Sequence, residues 1–258
     1  MTVGVIYQPD PDRHLAVITI DRPQARNAVN GEVAQGIEAA IDQIEADDSI
    51  WVTILTGTPP VFCAGADLKE VGSGNARSLN TKRGGFAGIV RRERKKPIIA
   101  AVEGPALAGG TEIILACDLV VAGSTATFGL PEVKRSIVAG GGGLFRLGRR
   151  IPFTIAMEWA LTGDGYSADE ALARGLINEI AEPGQALERA TVLAGRITAN
   201  APLAVQLSRS VMLEATYADE ATGWASSRAA VQEVAASNDF KEGVQAFIEK
   251  RPPEWSAS

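Results

Sequence analysis

The sequence predicts an α/β fold over its first three-quarters, followed by a helical C-terminal region, and three patterns carry that prediction. Short β-branched apolar runs alternate with segments of helical periodicity up to about residue 150. One of those runs, Pro97 to Val102, is continuously apolar, as a strand buried on both faces of a sheet must be. From Pro152 onward helical periodicity dominates, and only Leu176 to Ile180 resembles a strand. The chain therefore divides into a core over 1–195 and a helical region over 196–258.

Taken in order, Val3 to Tyr7 and Leu15 to Ile20 are apolar runs separated by Pro9, Asp10, Pro11 and Asp12, which predicts a hairpin. Asn30 has the chemistry of an N-cap, and Val33, Ile37, Ala40, Ile41 and Ile44 behind it keep one helical face. Ile50 to Leu55 is a strand ended by Gly57, Pro59 and Pro60. Between it and the Pro97 strand lie Gly72 to Asn75, predicted to be a mobile loop, and the basic segment Arg91 to Lys96, predicted to be helical. Gly104 and Pro105 open a small-residue turn into an apolar helix ending near Cys117, and Leu119 to Ala122 is a further strand. Pro202 suits the first turn of a helix, and the Ala-rich stretch from Ala215 to Ser237 favours another. Loose ββα-like units recur, without a sequence period strong enough to name.

Composition excludes several classes of function. Hydrophobic residues make up 46% and charged residues 22% of the 258, as in an ordinary globular protein with a substantial interior. The formal charge of −6 opposes a nucleic-acid surface, which needs a basic field. No segment offers eighteen uninterrupted apolar residues, and the N-terminus lacks a basic start followed by an apolar stretch, so no membrane role and a cytoplasmic location are expected. His14 is the single histidine, sitting before a strand where an exposed structural role is expected; a Ser-His-Asp triad, a Cys-His pair or a two-histidine metal site would all have to use it. Cys63 and Cys117 have neither metal-ligand spacing nor a disulfide framework and are expected in the core.

Three segments carry chemistry: Phe62-Cys63-Ala64-Gly65-Ala66-Asp67-Leu68, Ala106-Leu107-Ala108-Gly109-Gly110-Thr111-Glu112 and Phe128-Gly129-Leu130-Pro131-Glu132. The first two place small residues where a strand turns into a helix, leaving backbone N–H groups unpaired and approachable. Two such groups converging on one oxygen would make an oxyanion hole. Glu112 follows Gly109 by about one helical turn, and its flanking residues Ile113, Ile114 and Leu115 predict a partly desolvated carboxyl with a raised pKa. Gly140 to Gly143 lacks the Lys-Ser/Thr ending of a phosphate-binding loop and is expected to serve as a tight helix start.

In this order the three segments resemble the crotonase (enoyl-CoA hydratase/isomerase) family. The resemblance extends to Asp21-Arg22-Pro23 with Asn27-Ala28, to Lys96-Pro97-Ile98-Ile99-Ala100-Ala101-Val102, and to Phe247-Ile248-Glu249-Lys250-Arg251, so it covers nearly the whole chain. It implies a spiral of ββα units with a C-terminal helical trimerisation region, and a homotrimer or a dimer of trimers. It implies that Ala66 and Gly109 donate backbone N–H groups to a thioester oxygen while Glu112 and Glu132 flank C2 and C3 of an acyl-CoA substrate. Ala64, Asp67, Leu68, Arg26, Phe247 and Lys250 are implied to contact that substrate, the last two resembling residues given to a neighbouring subunit.

Because both glutamates are present, the resemblance favours hydration of a 2-enoyl-CoA over isomerisation, with carnitinyl-CoA-like dehydration and non-catalytic acyl-CoA binding as alternatives. It implies no metal or redox cofactor, coenzyme A being part of the substrate. Departures from the family pattern are Glu103 where asparagine is usual, Val138-Ala139 before the glycine run, and Gln24 and Pro60 where lysines are expected; Arg26, Lys69 or the Arg91 to Lys96 segment are candidates to replace them.

Overall fold

The computed structural model describes residues 4–258. The first hairpin joins β1 (Val5–Asp10) to β2 (Leu15–Ile20), antiparallel, with Val5 opposite Ile20. Val3, expected in that strand, lies outside the described residues. Asn30 caps α1 (Gly31–Ala46), its Oδ1 accepting from the N–H of Val33 at 3.0 Å. The chain continues through β3 (Val52–Gly57), α2 (Leu68–Gly72), β4 (Asn80–Thr81) and β5 (Gly85–Phe86). Then follow β6 (Ile98–Val102), β7 (Pro105–Leu107), α3 (Gly109–Ala116), β8 (Leu119–Gly123) and β9 (Thr127–Gly129). The last third holds α4 (Gly143–Arg150), α5 (Phe153–Thr162), β10 (Tyr166–Ser167), α6 (Ala168–Ala173) and β11 (Glu179–Ala181). It ends with α7 (Ala186–Thr198), α8 (Pro202–Ala215), α9 (Glu220–Ala236) and α10 (Asn238–Glu249).

Six strands form the main sheet in the order β1-β2-β3-β6-β8-β11, parallel from β2 onward. A smaller sheet, β10-β9-β7, lies beside it and is extended by single bridges between Cys63 and Ala106 and between Val29 and Ala66. Each turn of chain thus lays one strand in the main sheet, a short strand or bridge in the small one, and then a helix. That is the ββα spiral.

Burial explains the continuous apolar runs. Ile98, Ala100 and Val102 of β6 face a core shared with α1 and α3, while Ile99 and Ala101 face a second core closed by α7. α7 can approach closely because Ala186, Ala190 and Ala194 recur every four residues on one face. Its first N–H, from Ala186, donates to Glu103 Oε1 at 2.8 Å, so the glutamate standing where asparagine was expected caps a helix. The boundary expected at 195/196 falls inside α7. The strand expected over Leu176 to Ile180 forms later, at Glu179–Ala181, because Leu176 and Ile177 are spent on core packing.

The segment 91–96 is not helical, contrary to expectation. Its cations are drawn to separated partners: Arg92 to Asp42, Arg94 to Asp118, and Lys96 Nζ to the carbonyls of Ile44 and Asp47 at 2.6 and 2.7 Å. A helix would hold those side chains too close along one axis to reach all three. Lys96 is buried, so it is no solvated phosphate ligand. The stretch from Gly72 to Asn75 ends α2 and forms an exposed turn.

Candidate active site

A cavity of about 1080 Å³ opens where the small sheet meets the helix starts. Its wall includes Ala66, Gly109, Glu112 and Glu132, so all four residues singled out for chemistry face one space.

The turn from β7 into α3 is strained in a directed way. Ala108 has φ 52° and ψ −122°, a conformation that side chains other than glycine's rarely adopt. It is held there because the Ala108 N–H donates to Gly129 O at 2.9 Å and the Glu112 N–H donates back to Ala108 O at 3.1 Å. Thr111 secures the same corner, its hydroxyl lying 2.6 Å from Ala106 O and 2.8 Å from Gly129 O while accepting from the Gly129 N–H at 3.1 Å. β7, α3 and β9 are thereby locked together, and β9 delivers Pro131 and Glu132 to the cavity.

The opposite wall is pinned on both sides of Ala66. Val29 donates its N–H to Gly65 O and accepts from the Asp67 N–H, each at 2.8 Å. Gly65, at φ 95°, is in contact with the α3 start: a Cβ there would lie 2.9 Å from Ala108 Cβ and 3.0 Å from the nitrogen of Gly109. Among the described residues neither the Ala66 N–H nor the Gly109 N–H has an acceptor, and both line the cavity. The N-terminus of α3 adds its partial positive charge at Gly109.

Glu112 is buried, and its Oε1 accepts from the Gly143 N–H at 3.0 Å. Burial raises its pKa above the ordinary value, opposed by the N–H groups of Gly143 and Gly141 and by the charge of Arg146. A Cβ at Gly141 would sit 2.6 Å from Glu112 Oε2, so a side chain there would displace the carboxylate. Arg146 steadies this loop, donating to Gly141 O at 3.2 Å and to Val90 O at 2.5 Å. Glu132 is half-buried, and its Oε2 is shielded without a hydrogen-bond partner among the described residues. Burial raises its pKa; the residue's own backbone N–H opposes the rise, and the negative charge of Glu112 adds to it.

The other expected contacts divide. Ala64, Leu68 and Arg26 line the cavity. Asp67 does not: its Oδ2 lies 3.1 Å from both terminal nitrogens of Arg22 and its Oδ1 accepts from the Lys69 N–H at 3.1 Å, so it ties down the loop. Phe247 and Lys250 stand outside this cavity of their own chain, Phe247 being 85% exposed on α10 and Lys250 capping that helix's end at φ 57°. His14 is half-buried instead of exposed, because its ring stacks on Trp51 at 3.6 Å and Nδ1 bonds Ser49 O at 2.8 Å. Burial pushes both cysteine thiols up to about 12, so neither is a nucleophile.

Sequence reasoning missed the glycine run and Arg146, having assigned Gly140 to Gly143 only a helix start. The available signal was four consecutive glycines, far more than a turn requires, immediately before a helix.

The spiral with this corner at its centre is the crotonase fold. The crystal structure of an enoyl-CoA hydratase from Mycobacterium tuberculosis superposes with a TM-score of 0.94 at 47% identity, covering 99% of each chain. The sequence model of the Enoyl-CoA hydratase/isomerase family matches residues 11–258, and the chain belongs to that family. Enoyl-CoA hydratase EchA19 of Mycobacterium tuberculosis is 41% identical over 246 residues, 93% of this chain and 92% of that protein. Mevalonyl-coenzyme A hydratase sidH of Aspergillus fumigatus is 39% identical over 253 residues, 96% and 93% of the two chains.

Proposed function

We propose that the protein is an enoyl-CoA hydratase, adding water reversibly across the 2,3 double bond of a 2-enoyl-CoA thioester. One observation carries this reading: one cavity is lined by two glutamates and by two residues whose backbone N–H groups have no acceptor among the described residues. The Ala66 and Gly109 N–H groups receive the thioester oxygen and stabilise the negative charge that collects there as C3 is attacked, each contributing about 3 kcal/mol.

The two carboxyls have different roles because their surroundings differ. Backbone donation from Gly143 favours ionised Glu112, whereas the partnerless oxygen of Glu132 favours its protonated form. Glu112 takes a proton from water as the water oxygen bonds to C3, and Glu132 gives its proton to C2. The pair begins and ends with one proton, on opposite carboxyls, and exchange with water after release restores the start. This scheme uses no metal or redox cofactor; coenzyme A arrives as part of the substrate, with Arg26 at the cavity wall among its contacts.

The exposed apolar residues Met212 and Leu213 on α8, Trp224 and Val231 on α9, and Tyr217 in the turn between them support assembly through the helical region into a homotrimer or a dimer of trimers. Phe247 and Lys250 would then serve a neighbouring subunit's substrate. Among the described residues no helix is long and apolar enough to cross a membrane.

The test is loss of enoyl-thioester absorbance when crotonyl-CoA is added to purified protein. Binding without turnover across a panel of 2-enoyl-CoA and 3-hydroxyacyl-CoA thioesters would reduce the protein to an acyl-CoA binder.

A further inference from the structure

Ala108 stands at φ 52° and ψ −122°, close to the values of about 60° and −120° at the first central position of a type II′ turn. That position favours glycine, because a Cβ there crowds the neighbouring backbone. Here a methyl is kept where the backbone would sit more easily without one. An outlier of this kind persists only where its surroundings over-determine it, and at the edge of a reaction cavity it calls for a reason.

The reason lies in what the methyl meets. The two segments that bear the Ala66 and Gly109 N–H groups are joined by hydrogen bonds only further back along the chain. Cys63 donates to Pro105 O at 3.2 Å and Leu107 donates to Cys63 O at 3.0 Å, and among the described residues no backbone hydrogen bond joins residues 64–67 to residues 108–110. Each segment is instead tied to a third element, residues 65 and 67 to Val29 and residue 108 to Gly129. Between them stands Ala108: a Cβ on Gly65 would lie 2.9 Å from the Ala108 Cβ, so the methyl and Gly65 meet with no room for another atom.

We propose that Ala108 is a positioning residue of the oxyanion hole, its methyl the spacer that sets how far the Ala66 N–H stands from the Gly109 N–H. The proposal rests on the reading of those two groups as donors to the thioester oxygen. Without the methyl, the start of α3 settles toward Gly65, and the two donors no longer reach one oxygen at the distance where both bond it well. Glycine would also release the strain. Removing the methyl therefore moves stability and rate in opposite directions.

The test compares Ala108→Gly with Ala108→Ser, which keeps a Cβ in the same place. Its probe is para-aminocinnamoyl-CoA, whose amino group pushes electrons through the double bond onto the thioester carbonyl. Hydrogen bonds to that oxygen move the absorbance to longer wavelength, and the conjugation disfavours hydration, so the readout is independent of turnover. The probe is expected to shift red on binding to the native protein. In Ala108→Gly that shift should fall by about half or more, and kcat for crotonyl-CoA by roughly ten- to hundredfold with KM changed less than about threefold. Thermal melts should show Tm raised by about 2 °C or more. Ala108→Ser should keep the red shift and the native Tm, with kcat within about threefold of the native value.

An undiminished red shift in Ala108→Gly overturns the proposal whatever happens to kcat, because the donors would then stand where they stood. A rise in KM alone makes the methyl a plain piece of cavity wall, and a lower Tm makes it ordinary packing; either result also overturns the proposal, as does a serine variant that loses as much as the glycine one. A native protein that hydrates crotonyl-CoA without shifting the probe sinks the donor assignment and this proposal while the hydratase reading stands. A red shift lost in Ala108→Gly, in a protein that hydrates nothing, upholds the role of Ala108 and sinks the hydratase reading alone.

Discussion

Gly143 donates its backbone N–H to Oε1 of Glu112 over 3.0 Å, across 31 residues of chain. Through that bond the start of α4 grips the carboxylate carried by α3, and two segments that look unrelated in sequence become one device. The bond favours the ionised carboxyl while burial opposes it, which leaves Glu112 ionisable but basic enough to accept a proton from water.

Glu112→Gln and Glu132→Gln should each lower kcat by about two orders of magnitude or more, since each removes one end of the proton transfer. Steady-state hydration of crotonyl-CoA checks this, with circular dichroism to confirm the fold.

The same substitutions should stabilise the protein at neutral pH. Both glutamates have raised pKa values in the folded state, so the folded protein holds protons that the unfolded chain has released. Stability therefore falls as pH climbs from the ordinary glutamate pKa of about 4.3 toward the raised values, and neutral glutamine escapes that loss. Thermal melts should show a higher Tm for each variant at pH 7 and no difference near pH 4; a lower Tm at pH 7 would contradict the desolvation argument.

Hydration should follow a bell-shaped pH profile in kcat/KM, because the working pair carries a single proton. Its acidic limb should lie above the ordinary carboxylate range, as burial raises both groups and each negative charge opposes the other's ionisation. The apparent values belong to the pair, and either Gln variant should remove one limb from the residual activity.

Gly141→Ala should lower kcat by roughly ten- to hundredfold with little change in KM. The new Cβ would fall 2.6 Å from Glu112 Oε2 and push the carboxylate off its line to substrate. A rise in KM alone would place the glycine loop in substrate binding instead.

Asp118→Ala should cost about 3–5 kcal/mol of stability in urea unfolding at pH 7. Asp118 accepts from Arg94 at 2.6 Å, Arg209 at 2.9 Å and the Ile98 N–H at 2.8 Å, and the Arg94 side chain, 3% exposed, would be left without its carboxylate. Burial works to raise the Asp118 pKa, but the two guanidinium groups outweigh it and hold the carboxyl below its ordinary range. Its contribution is therefore complete above the unfolded pKa and disappears as pH falls through the depressed folded value.

Much of this protein follows from local chemistry. Apolar runs bounded by proline and glycine mark β2, β3 and β6; Asn30 marks the start of α1; isoleucines around Glu112 foretell its desolvation. Each depends on neighbours within a few residues, where periodicity and capping act. Cavity membership of Ala66, Gly109, Glu112 and Glu132 was legible only as the resemblance carried by three ordered segments. Tertiary structure decided the rest. It spread the cations Arg92, Arg94 and Lys96 between the end of α1 and Asp118, committed Asp67 to Arg22, capped α7 with Glu103, and turned a plain run of glycines into the seat of Glu112. Such pairings are made by packing between segments far apart in the chain, and residue type sets only what a side chain can bond, not which partner the fold brings within reach.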